Sequence, residues 1–183
     1  MATNERHKLR LQWAEVELRL DNGSVGIAEA RAALQGLIEK VYRVTPDNTR
    51  TFEAAKAACG PWTDPNYWNP DINEDNFALE VVDGEVELQL HHFNEAISDA
   101  EATRRLDVLG LVREDRLSVI LAFLEGYPGL QREFPIITNA AWVNPVGDRL
   151  VVCASGDSRN RDLYLSWDVH GWSVRCRFLV RRK

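Results

Sequence analysis

The apolar positions of this chain change period several times, and each change marks an element. Leu9, Leu11 and Trp13 alternate with Arg10 and Gln12, and Ala14, Val16, Leu18 and Leu20 alternate with Glu15, Glu17 and Arg19. The single slip of phase is that of a bulged strand. A helix over the same residues would gather Leu9, Trp13, Val16 and Leu20 but strand Leu11 and Leu18 on its far side. Asp21-Asn22-Gly23-Ser24 then turns the chain. From Ile27 the spacing becomes helical: Ile27, Ala30, Leu34, Leu37, Ile38 and Val41 form one stripe, which must end before Thr45-Pro46. A second, alanine-rich helix is expected over 51–59, stopped by Gly60-Pro61.

Residues 60–76 hold three prolines and many Asn and Asp, which exclude a helix or a central strand. They also hold Trp62, Tyr67 and Trp68, so they read as an ordered loop and not as a linker. Phe77, Leu79 and Val81, then Val86, Leu88 and Leu90, flank Asp83-Gly84 in the pattern of a β-hairpin. Ser98 and Glu101 fit a capping box opening a helix over 99–109, and a further helix is expected over 114–124. Strands are expected over 136–143, 149–154, 163–167 and 172–180, separated by short turn-rich clusters. The sum is an α+β fold: a largely antiparallel sheet (an N-terminal strand, a central hairpin and about four C-terminal strands) packed against about four helices. Residues 1–183 read as a single globular domain, with the loop 60–76 as the place where a seam would fall.

The composition, 45% hydrophobic and 27% charged, is that of a soluble globular protein. A chain of this length buries roughly 70% of its unfolded surface, so it needs no metal or disulfide to fold. No apolar run approaches the roughly 20 residues needed to cross a bilayer, and the polar N-terminus lacks the apolar core of a secretory leader. Three cysteines, Cys59, Cys153 and Cys176, are far apart and form no CxxC pair. They are expected as reduced thiols in a cytoplasmic protein with no cofactor.

Charge narrows the function. The net of −6 argues against nucleic acid and membrane surfaces as partners. Its distribution is uneven: the 47 residues between Lys56 and Arg104 contain 11 acids and no Lys or Arg. From Asp157 onward, seven basic residues face three acids. Either the two regions neutralise each other within one fold or across a homodimer, or the acidic stretch is a face offered to a basic partner.

Within that stretch, Asp71-x-Asn73-x-Asp75 has the oxygen spacing that opens a calcium loop, but Asn76 stands where Gly is needed and Val82 where a bidentate Glu belongs. No metal site is therefore expected. Trp62, Tyr67 and Trp68 among Asp64, Asn66 and Asn69 either pin the loop to the body or present aromatic faces to a ligand. His91 and His92 fall on opposite faces of a strand and cannot readily share a metal, though one with Glu95 could act as an acid–base pair. No GxSxG, HExxH, Walker or Rossmann motif is present. The leading expectation is a non-enzymatic interaction module whose Trp62, Asp64, Tyr67, Trp68, Asp71, Glu74 and Asp75 engage a protein partner, as in an inhibitor or immunity-type protein. The alternative is a small-molecule binder or modest hydrolase with a pocket between sheet and helices, using His91 or His92 and a carboxylate.

Overall fold

The computed structural model describes residues 40–60, 68–158, 160–167 and 171–183. The strand expected over 9–20 and the helix expected from Ile27 lie outside them as far as residue 39. The first described element is a strand, β1 (Tyr42–Val44), and Val41, the last residue of the expected helical stripe, lies just ahead of it and is not helical. Helix α1 (Phe52–Ala58) begins where Thr51 accepts a hydrogen bond from Ala54 N through its side chain. Strand β2 (Val86–His91) and helix α2 (Asp99–Val108) follow, the latter capped by Ser98 as its sequence signature requires. Then come β3 (Leu111–Arg113), α3 (Leu117–Gly126), the single turn α4 (Leu130–Glu133), and strands β4 (Ile136–Val143), β5 (Arg149–Gly156), β6 (Arg161–Trp167) and β7 (Arg177–Arg182). Lys40–Lys183 forms one compact unit.

The expected α+β architecture is present: a seven-stranded, mostly antiparallel open sheet in the order β1-β2-β7-β4-β5-β6, with helices packed on it. β7 occupies the middle. Phe178 pairs with His91 of β2 and Ile137 of β4, while Val180 pairs with Gln89 of β2 and Arg113 of β3. β4 and β3 therefore lie end to end along one edge of β7, opposite β2. Glu114 joins them: its N–H donates to Leu179 O at 2.8 Å and its carbonyl accepts from Asn139 N at 2.7 Å. The β4–β7 pairing is the parallel one.

The central hairpin requires correction. Only its second arm is a strand, and Val86–Leu88 pairs with Val44–Tyr42 of β1, some forty residues earlier in the chain. Residues 77–85 run beside the body without a ladder. Phe77 and Val82 point into the core, whereas Val81, assigned inward by the alternation, is 76% exposed. The turn residues are real, with Gly84 at φ +79°, a conformation open chiefly to glycine. Two further differences concern the middle of the chain. Leu111–Arg113 forms an unforeseen strand, which delays α3 from residue 114 to 117.

Both faces of the sheet are covered, which explains the continuous apolar run Leu150–Ala154 in β5. On one side α1 and α3 pack over Leu88, Ile136, Val152, Leu163 and Leu179. On the other, Ala102 and Leu106 of α2 and Trp172 pack over Ile137, Val151, Cys153, Phe178 and Val180. Among the described residues, no helix is long and apolar enough to cross a membrane.

Candidate functional site

The loop that carries the sequence-selected residues divides into an inward and an outward part. Trp68 is 4% exposed, and its indole N–H donates to Ile72 O at 2.7 Å. Its ring stands edge-on to Phe52, 6.3 Å between centroids, with the Lys56 ammonium 4.9 Å above it. Next to it, Asn69 N donates to Leu163 O at 2.9 Å. Trp68 thus fastens the loop to α1 and β6 and offers no free face, which removes it from the contact residues. Trp62, Asp64 and Tyr67 lie outside the described residues.

Asp71, Glu74 and Asp75 are exposed on the turn that follows. The turn is held by its asparagines. Asn69 Oδ1 accepts from Asp71 N at 2.8 Å, and Asn73 Oδ1 accepts from Asp75 N at 3.0 Å and Asn76 N at 3.1 Å. Asn73 Nδ2 donates to Pro70 O, and Asn76 Nδ2 to Asp71 O. The middle oxygen of the Asp71-x-Asn73-x-Asp75 pattern therefore faces backbone amides, away from any point where a cation would meet all three side chains. Among the described residues there is no group of three or more His, Cys, Asp or Glu arranged to hold a metal ion.

The other acids of the basic-free stretch are mostly neutralised nearby. Glu85 and Glu87 hold Arg43 at 3.3 and 2.7 Å; Glu101 holds Arg104 and Arg105, each at 2.7 Å, and Glu95 also holds Arg105. Asp99 forms a two-pronged pair with buried Arg113 and accepts from the Trp172 indole at 2.9 Å. Burial pushes the Asp99 carboxyl up, but Arg113 and Trp172 outweigh it and hold it below the usual carboxylate range. Arg104 and Arg105 bring the Glu101 carboxyl down to about 2. Of the C-terminal bases, Arg181 meets Glu114 and Asp115 and Lys183 meets Asp107, all outside that stretch, while Arg161 and Arg177 turn to backbone carbonyls. Among the described residues Asp71, Glu74 and Asp75 make no ion pair, and neither does Asp83 at the next turn.

Among the described residues, neither His91 nor His92 is set against Glu95 as an acid–base pair. His91 is buried edge-on to Phe93, 4.6 Å between centroids. His92 Nε2 lies 2.7 Å from Val174 O, and Glu95 is committed to Arg105. The thiols are equally remote from chemistry. All three cysteines are free and buried; Cys59 Sγ donates to Leu121 O at 3.1 Å, and burial pushes its thiol up to about 12.

A small recess of about 70 Å³ opens between the β1–α1 connection, residues 79–81 and α3. That is well below the roughly 300–1,000 Å³ of ordinary ligand pockets, and no histidine lines it. Its charged residues are Asp47, Arg50, Glu80 and Glu125. Sequence reasoning counted Glu80 among the acids of the basic-free stretch but did not single it out, and nothing in the local pattern joins it to Asp47 and Glu125. No protein-family model, no curated protein and no solved structure matches this chain.

Proposed function

We propose that the chain is a non-enzymatic interaction module that presents the turn bearing Asp71, Glu74 and Asp75 to a basic protein partner, as an inhibitor or immunity-type protein does. One observation carries the reading: these three carboxylates are exposed and without ion pairs among the described residues, while most neighbouring acids are satisfied by arginines of the same fold. Exposed, unshared like charges cost self-repulsion and return it only when a complementary surface arrives, which speeds association and selects the partner. Trp68 supports the turn from below and gives it a fixed shape. Three free thiols agree with a cytoplasmic setting, and the acidic net charge disfavours nucleic acid as the partner. The reading needs no second copy of the chain.

The test is capture from lysate at low and high salt, followed by titration of the identified partner against the triple variant Asp71→Lys, Glu74→Lys and Asp75→Lys. The variant is expected to keep the parent's thermal transition and to bind at least tenfold more weakly, with a shallower dependence on salt. Unchanged affinity, or capture of no basic protein at either salt, overturns the proposal.

A further inference from the structure

The recess beside α3 combines an apolar floor with an acidic rim. Ala55, Leu79, Leu121 and Ala122 form the floor, and exposed Val81 extends it to the surface. On the rim, three carboxylates face one guanidinium, a formal excess of two negative charges. Arg50 holds Asp47 at 3.1 Å and Glu125 at 2.7 Å, so those two are already shared. Glu80 is different. Its Oε2 accepts only long hydrogen bonds from Ser118, 3.4 Å from the backbone N–H and 3.5 Å from the hydroxyl, and its Oε1 accepts none among the described residues. Arg116 is near enough to feel Glu80, but its own guanidinium is gripped at 2.7 and 2.8 Å by Glu114.

We infer that this recess receives a lysine side chain of a protein partner, with its methylenes over Ala55, Leu79 and Val81 and its ammonium at Glu80. The inference rests on the interaction reading for the existence of a partner. Its chemistry comes from the recess. A flexible aliphatic stem suits a narrow apolar floor, and an ammonium is a compact charge that needs one free carboxylate oxygen. An arginine fork favours two parallel acceptors on one carboxylate, and here the Ser118 N–H and hydroxyl stand on the Oε2 side of Glu80, which leaves Oε1 as the more open acceptor. Asp47 and Glu125 add attraction without having to leave Arg50. Glu80 also lies on the same stretch of chain, 71–82, that carries the acidic turn, so one basic segment can engage both.

The experiment is a titration of the isotopically labelled full chain with N-acetyl-lysine methylamide, followed by amide NMR, alongside the norleucine and arginine analogues. Saturable shifts at Ala55, Glu80, Ser118 and Ala122 are expected with the lysine compound alone. They should weaken at least fivefold in Glu80→Gln, whose amide oxygen can still accept from Ser118, and at high salt. Equal shifts with norleucine or arginine, or no saturable shift at these amides, overturn the inference. Shifts confined to residues 71–75 overturn it while leaving the interaction reading standing. If the recess binds but triple reversal at 71, 74 and 75 leaves the identified partner's affinity intact, only that reading of the turn falls.

Discussion

Asn48 holds Val82 by both backbone groups: its side-chain amide donates to the Val82 carbonyl and accepts from the Val82 N–H, each at 3.0 Å. One side chain thus imitates the strand that the hairpin pattern assigned to this place. The valine is 7% exposed, so its backbone has little water to turn to. Asn48→Ala should cost about 1–2 kcal/mol. The check is a lower urea midpoint with an unchanged denaturant slope.

Arg161 ties three helices together. Its guanidinium, 2% exposed, donates to the carbonyls of Cys59 and Leu124, at the C-terminal ends of α1 and α3, and to Gln131 Oε1 on α4. A cation at two helix C-termini also opposes their dipoles. Burial lowers its pKa, yet arginine remains charged at any ordinary pH. Arg161→Met should destabilise by about 3 kcal/mol through stranded carbonyls. Arg161→Lys, whose single nitrogen cannot reach all three acceptors that the Nε, Nη1 and Nη2 of the fork meet separately, should recover only part of that in the same urea measurement.

Acid should weaken the fold partly through Asp99. Its folded-state carboxyl lies below the ordinary value, so the unfolded chain binds the proton more readily. The stability this supplies is complete above the ordinary carboxylate range and is lost as pH falls through the folded-state value, from roughly pH 5 downward. Glu101 is shifted in the same direction but is more exposed and contributes little. Asp99→Asn should flatten the acid limb of a stability–pH profile. At pH 7 it should cost about 3 kcal/mol, because Arg113 stays buried at 5% exposure without its partner.

Cysteine labelling gives an independent check on the interior. With all three thiols buried and those of Cys59 and Cys153 raised by burial, the native protein should resist a maleimide at neutral pH. Labelling should become complete only across the urea transition. A thiol that reacts quickly in the native state contradicts its placement here.

Local signals located elements well where the chain supplies its own caps. Thr51 and Ser98 begin α1 and α2 within a residue of expectation. α3 has no side-chain cap of its own at Arg116; its first amides turn instead to Glu114 and Glu80, which lie outside the helix. No cap signal marked residue 117 for that reason. The hairpin failed for a related cause: alternation fixes that a segment is extended, but its partner, Tyr42–Val44, is distant in sequence. The acidic stretch was legible as composition. Which acids it leaves unneutralised was not, because Arg43 reaches Glu87, Arg105 reaches Glu95 and Arg113 reaches Asp99 only through the folded chain. Trp68 illustrates the same limit, since a loop tryptophan looks alike in sequence whether it faces a partner or Phe52.

The position of β7 sets the order in which this fold can be made. It is the last of the described strands in sequence, yet it lies between β2 on one side and β3 and β4 on the other. A chain emerging from the ribosome at roughly 5–20 residues per second can zip β4, β5 and β6 into neighbouring hairpins long before that strand appears. Until then their inner edge and that of β2 expose unpaired amides and carbonyls, as do the apolar faces that flank them. Completion is therefore a single late insertion, in which Phe178, Leu179 and Val180 close both cores at once. Nascent chains lacking residues 177–182 should behave as clients of holdase chaperones, and chains that include them should not.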